Sequence, residues 1–413
     1  MTHGAESRLG VRTLTSALVV VAALLGALVL PLTPPSASAD GPGSGTPWIV
    51  SLGDSYISGE AGRWAGNSNT SSSSVDAGGA SAYFDNDTRT AETISGCHRS
   101  SAAEVHIGGG VASLNLACSG AKVATQVGSN GSFTPGIDFH SSSAGKGQAL
   151  MLQDFAATHN VRMILLSIGG NDFNFANIVQ SCVTNFLTSP SWWPNYCYDD
   201  SSVSSNFTTS NVTSRTTLIR SAIGNVMSAM SRAGYSTSQY SIVVQTYPSP
   251  VPKGTGFRYS QSGFTRQSTG GCGFWNKDAD WANATALAKI NGAVTSAATA
   301  MNTAGNIRIL ELSSSFNGRR LCETGVNLLE NTGRTHWSSP GASDVTEWIA
   351  QIRTLSTIAG PYQVQESLHP NWWGQKAVRN CVRQAWNGGS VRGGTCTRGT
   401  GLTALGEPQM TLR

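Results

Sequence analysis

Residues Arg162-Met163-Ile164-Leu165-Leu166-Ser167-Ile168 form a run that is apolar nearly throughout and stops at Gly169-Gly170. A strand of this composition has no polar face to offer to water. It must be covered on both sides, as the central strands of parallel sheets are. Four other short apolar runs share its character, at 48–52, 113–118, 240–246 and 306–312. Between them lie stretches of helical periodicity, at 147–159, 173–187, 211–234 and 280–302. The third carries Ile219, Ile223, Val226, Met227 and Met230 on one face, and Gly234 closes it. Strands alternating with helices predict right-handed crossovers and a parallel sheet, an α/β fold. Residues 342–357 also read as a helix. A last helix is expected from Pro370, which suits a first helical position, to Ala385.

The first 39 residues are set apart from this pattern. Arg8 and Arg12 precede an apolar core at 17–30, and Ala37-Ser38-Ala39 has the small-residue form of an export cleavage site. A membrane anchor is the competing reading of so apolar a stretch, but Pro31, Pro34 and Pro35 favour cleavage. The expected organisation is a cleaved signal peptide over 1–39, one domain over 40–398 and a tail over 399–413. The chain has 413 residues, and single α/β domains of about 250 residues or more are ordinary. Only 12% of residues are charged, and the net charge of +4 is scattered, which argues against a nucleic-acid partner. A secreted, soluble, monomeric protein is expected, without a transmembrane segment after processing.

All eight cysteines, Cys97, Cys118, Cys182, Cys197, Cys272, Cys322, Cys381 and Cys396, follow the cleavage site. An even count in an exported chain implies disulfides, each typically contributing about 2–4 kcal/mol. Eight cysteines permit roughly a hundred pairings, and sequence alone does not choose among them. Chain order suggests 97–118, 182–197, 272–322 and 381–396. No Cys-x-x-Cys pair occurs, so zinc is not indicated, and neither a metal nor a cofactor is expected.

Four stretches carry chemistry. Gly53-Asp54-Ser55-Tyr56-Ile57-Ser58-Gly59-Glu60 follows the first strand and presents Ser55 where α/β sheets offer reactive groups. Cys118-Ser119-Gly120-Ala121 follows the second strand, and Gly169-Gly170-Asn171-Asp172 the third. Glu366-Ser367-Leu368-His369-Pro370-Asn371 lies near the end of the chain. A serine hydroxyl needs a neighbouring base, and His369 is the histidine with an acid three residues earlier and a helix start just after. A helix entrance there would favour its neutral form. Developing carbonyl charge needs preorganised donors. Ser55 N–H, Gly120 N–H and the Asn171 amide are the candidates.

In this order the blocks resemble the GDSL, or SGNH, serine esterases and lipases, and the run 53–67 resembles their secreted actinobacterial branch. The resemblance implies a three-layer α/β/α flavodoxin-like fold with a five-stranded parallel sheet of order 2-1-3-4-5. It also implies hydrolysis of carboxylic esters through an acyl-serine intermediate. Ser55 would be the nucleophile and His369 the base, with Glu366 or a backbone carbonyl orienting the imidazole. Relatives usually carry aspartate at the Glu366 position. Asp54 and Asp172 read as turn-holding residues. Trp372 and Trp373 are open between walling an acyl pocket and packing the last helix. The expected partner is a small-molecule or lipid ester. A carbohydrate acetylesterase is the nearest alternative, and a non-catalytic secreted binding protein of this fold a more distant one. The loops 62–95, 189–205 and 254–276 carry no readable role.

Overall fold

The computed structural model describes residues 41–353 and 364–413. The expected leader at 1–39 lies outside them. The five apolar runs form β1 (Pro47–Gly53), β2 (Ala112–Asn115), β3 (Asn160–Ser167), β4 (Ser241–Gln245) and β5 (Ile307–Glu311). Two further strands, β6 (Gly394–Leu402) and β7 (Pro408–Leu412), complete a seven-stranded sheet of order β7-β6-β5-β4-β3-β1-β2. Neighbours run parallel throughout, except that β7 is antiparallel to β6. Five strands are expected and seven stand in this sheet, and the residues expected as a tail, 399–413, supply part of β6 and all of β7. The cause is visible in β7, whose Pro408, Met410 and Leu412 are buried while Gln409 and Thr411 are exposed. That alternation packs the strand against the helix Trp372–Trp386, which the Cys381–Cys396 disulfide also ties to β6.

The main helices are α1 (Ser55–Ser58), α2 (Gln148–Ala156), α3 (Phe175–Thr188), α4 (Thr209–Arg232), α5 (Ala288–Met301) and α6 (Trp372–Trp386). Helix α4 packs against both α2 and α5, using the apolar face that the sequence displays, with Ile219, Ile223, Val226 and Met230 fully buried. The chain enters α5 through a six-residue stretch of π-helix at Ala282–Leu287. The cysteines are joined in chain order, 97–118, 182–197, 272–322 and 381–396. No helix among the described residues is long and apolar enough to cross a membrane.

The helix expected over 342–357 is a correction. Only Ala342–Val345 is helical, and 354–357 lie outside the described residues. Residues 346–352 are all buried, so no face is left to water, and their backbone is bonded by neighbours instead of by a helix. Trp348 N–H donates to the Arg319 carbonyl, Ile352 N–H to that of Gly271 and Ala350 N–H to that of His369. Glu347, fully buried, accepts from Arg258 at 2.6 Å and from Asn67 at 2.5 Å.

In this strand order β1 is flanked by β2 on one side and β3 on the other, and the crossovers leave in opposite directions. The crevice at the carboxyl ends of β1 and β3 is therefore the topological switch point, where α/β sheets bind ligands. Gly53 lies opposite Ser167 in the register, and Asp54 N–H donates to the Ser167 carbonyl at 3.0 Å. Gly53 has φ +144°, and a Cβ there would sit 1.9 Å from the Ser167 oxygen. Gly53→Ala is thus expected to destabilise by more than the roughly 1–3 kcal/mol of ordinary over-packing. Urea unfolding measures this, and a loss within the error of the fit would show that the strand ends can part freely.

Candidate active site

Ser55 is the first residue of α1. Asp54 caps the helix, its carboxylate accepting from Tyr56 N–H at 3.1 Å. The Ser55 N–H therefore has no intrahelical acceptor and is free to face a ligand. The Asp54 carboxylate also accepts from Tyr247 Oη at 2.5 Å, and Tyr247 Oη accepts from Gly170 N–H at 3.0 Å. One phenol thus joins the turn after β1 to the turn after β3. Burial pushes the Asp54 carboxyl up to about 7, with the Tyr247 and Tyr56 hydrogen bonds pulling the other way. The Asp172 carboxylate accepts from Val123 N–H at 3.2 Å and so ties the turn after β3 to the segment that follows Gly120. Tyr247 was not singled out in the sequence, although its place just past a buried strand was a usable signal.

His369 Nε2 lies 2.6 Å from Ser55 Oγ, and His369 Nδ1 lies 2.9 Å from the Ser367 carbonyl oxygen. A carbonyl can only accept, so Nδ1 carries the proton and Nε2 offers a lone pair to the serine hydroxyl. Burial disfavours the imidazolium and holds His369 below its usual 6.5, although the Glu60 charge works in the opposite direction. The backbone beneath it is strained, since Leu368 adopts φ +64°. Such a conformation costs about 1–3 kcal/mol and persists only when its surroundings enforce it. Here Tyr56 Oη donates to the Leu368 carbonyl at 2.9 Å, and Leu368 N–H donates to that of Ala350 at 3.1 Å.

Glu366 is not at the imidazole, which corrects the expectation for this acid. One carboxylate oxygen accepts from Trp64 Nε1 at 2.8 Å and the other from the Tyr83 hydroxyl. Trp64 and Tyr83 come from the loop at 62–95, which thereby gains a role: it holds the histidine segment from below. Behind it lies a second buried pair, Glu60 and His98, 2.7 Å apart. Burial is the largest influence on both and would raise Glu60 and lower His98, but their hydrogen bond and the surrounding charges together outweigh it, so Glu60 lies below and His98 above the ordinary values. The Tyr83 ring stacks on His98 with centroids 4.3 Å apart, and Gln365 donates to the other Glu60 oxygen at 3.0 Å.

The expected helix start is also displaced. Asn371, not a residue before Pro370, caps α6, its side chain accepting from Trp373 and Gly374 N–H at 3.1 and 3.3 Å. Pro370 thus precedes the cap, and burial, not a helix terminus, is the main influence on His369. Trp373 is buried and Trp372 half-buried, both against Trp337. Neither lines the cavity described next.

Gly120 and Asn171 meet Ser55 and His369 around one cavity of about 840 Å³. Gly120 has φ +77°, a left-handed conformation that suits glycine, and a Cβ there would meet nothing closer than 4.0 Å. Its place is fixed by backbone conformation, with open space in front. Asn171 Nδ2 donates to the Ala121 carbonyl at 3.0 Å, which orients the amide and leaves its second N–H available. The remaining lining comes chiefly from α3, through Phe175, Val179, Val183 and Leu187, together with Ile352, Arg353 and Val364.

Among known proteins, no family model matches the sequence, and no curated protein matches it. Among the solved structures similar to this chain are two from Streptomyces. The extracellular lipase of Streptomyces rimosus has 19% identity and a TM-score of 0.39 over 79% of this chain and 94% of its own. Phospholipase A1 of Streptomyces albidoflavus NA297 has 18% identity and a TM-score of 0.35 over 80% and 95%.

Replacing Glu366 by Gln leaves one amide NH₂ facing either the Trp64 or the Tyr83 donor. Glu366→Gln is expected to destabilise by about 1–3 kcal/mol, the cost of a buried group left without its partner. Thermal and urea unfolding would show it, and unchanged stability would mean the carboxylate is not committed to those two donors.

Proposed function

We propose that the protein hydrolyses carboxylic esters of long acyl chains through an acyl-serine intermediate. The observation that carries this reading is Ser55 Oγ at 2.6 Å from His369 Nε2, with Nδ1 held by the Ser367 carbonyl. Ser55 Oγ attacks the ester carbonyl carbon as its proton passes to Nε2. The carbonyl oxygen becomes an oxyanion that Ser55 N–H, Gly120 N–H and the free Asn171 N–H face. Collapse expels the alkoxide, which takes the proton from Nε2, and leaves the acyl group on Ser55. Water then repeats the sequence, giving its proton to Nε2, and the acid departs as Oγ recovers the proton. The imidazolium formed in each half is stabilised by the Ser367 carbonyl dipole and, at longer range, by Glu60. A serine–histidine pair with a carbonyl in the orienting position thus replaces a triad containing Glu366.

The cavity supports an acyl substrate over an acetyl one. Its lining along α3 is mostly apolar, with Gln180 and Thr184 the polar members, and an acetyl group would leave most of about 840 Å³ unused. Burying each added methylene is worth about 0.8 kcal/mol, or roughly fourfold in kcat/KM while space remains.

A fluorophosphonate probe is expected to label Ser55 in the folded protein and to miss Ser55→Ala; peptide mapping that finds another residue labelled, or none, would sink the reading. Across p-nitrophenyl esters from acetate to decanoate, kcat/KM is expected to rise with chain length, whereas a maximum at acetate would favour the acetylesterase. Asn171→Ala should lower kcat by about 10²–10³-fold. Glu366→Gln should keep kcat within about tenfold, since the carboxylate does not touch the imidazole. Because His369 sits below 6.5, its neutral form persists on acidification. The acid limb of kcat/KM is therefore expected to have its midpoint below pH 6.5, and a midpoint above it would contradict the burial of the imidazole.

A further inference from the structure

Helix α3 leaves the cavity and runs into a loop that the chemistry above does not use. No Asp, Glu, Lys or Arg occurs between Asp172 and Asp199, in a chain where 12% of residues are charged. Within that stretch Phe175, Val179, Val183 and Leu187 line the cavity, spanning about 18 Å at 1.5 Å per residue. Five residues past Leu187 come Trp192 and Trp193, which are 80% and 74% exposed. Two adjacent indoles so fully in water are unusual, because a large aromatic side chain buries roughly 150–250 Å² when it finds a partner.

The loop that carries them is fastened to the protein at both ends. Cys197 is disulfide-bonded to Cys182 within α3. Cys197 and Tyr198 N–H donate to Asp278 Oδ1 at 3.0 and 3.1 Å, and Asn195 N–H donates to Ser189 Oγ at 2.9 Å. The tryptophans are therefore presented in a fixed loop, and docking them costs little further ordering.

We propose that Trp192 and Trp193 anchor the protein to the surface of a zwitterionic phospholipid layer, so that the α3 cavity receives acyl chains from that layer. Indole rings suit the headgroup level, where one edge is apolar and the other wet. The charge-free path from the loop to the cavity means that no ionised side chain of this segment is desolvated on contact. The indoles and the α3 side chains that line the cavity belong to one uncharged segment, which distinguishes this surface from a sugar-stacking platform, which needs no such connection. The proposal rests on the ester hydrolase reading for what enters the cavity, and not for the binding itself.

The test uses the Ser55→Ala protein, so that lipid is not consumed, with dioleoylphosphatidylcholine vesicles. Co-sedimentation is expected, together with quenching of tryptophan emission by brominated acyl chains. Trp192→Ser/Trp193→Ser in the same background is expected to partition at least about tenfold more weakly, given the apolar area removed. Trp192→Phe/Trp193→Phe should recover most of the binding. Circular dichroism melting checks that each variant is folded. Equal partitioning of the serine variant, or none by the parent, overturns the proposal. So does binding to insoluble xylan that depends on the two indoles without binding to vesicles. If the protein with Ser55 intact fails to hydrolyse soluble p-nitrophenyl esters, the hydrolase reading falls while the vesicle result stands by itself.

Discussion

The close approach of β1 to β3 at their carboxyl ends governs the spacing of the site. Gly53 lies against the Ser167 carbonyl with no room for a Cβ, and Asp54 N–H bonds that same oxygen. Gln148, fully buried, both accepts from Gly53 N–H at 2.8 Å and donates to its carbonyl at 2.9 Å. Tyr247 then bridges Asp54 to Gly170. A serine on one strand end and an asparagine on another are held together by backbone contact and by two buried polar side chains. Satisfied buried networks of this kind are rigid, because each member left unpaired would be costly.

His369 arrives from the far end of the chain and is held differently. Its segment is neither helix nor strand, and its strained Leu368 is fixed through Tyr56 and Ala350. Beneath it, Glu366 takes hydrogen bonds from Trp64 and Tyr83, and Tyr83 lies flat on the His98 of the Glu60–His98 pair. The long polar loop after Ser55 thus supports the segment that carries His369. This arrangement explains how the imidazole is oriented without a carboxylate of its own. The acid nearest in sequence is spent on placing the backbone whose carbonyl does the orienting.

Legibility followed the range of the interactions. Each expected strand lies within a residue or two of its observed limits apart from the second, which ends at Asn115 and not Cys118. Helices α2 to α4 also lie close to their expected positions, and the run expected at 280–302 is covered by a helical turn at Asn276–Trp281, the π-helical stretch and α5, because burial on one face or both leaves a period in the sequence. The segment 346–352 differs because all of it, Glu347 and Gln351 included, is covered on all sides and bonded by distant loops. The strand at 408–412 carries a readable alternation of buried and exposed residues, although it follows the last expected helix. Glu366 sat three residues before His369, a spacing that sequence alone could not separate from contact. Its true partners are some 300 residues earlier, at a separation of 302 for Trp64 and 283 for Tyr83.

By itself the sequence determined the alternation of buried strands and one-faced helices, and the placing of Ser55, Gly120 and Asn171 just beyond three strand ends. Those features depend on local periodicity and on turn residues, which neighbouring positions encode. Only the tertiary structure decided which group holds Nδ1, what Glu366 bonds, and how far the cavity runs along α3. These follow from contacts between segments distant in the chain, where side-chain direction and burial choose among partners that composition leaves equivalent.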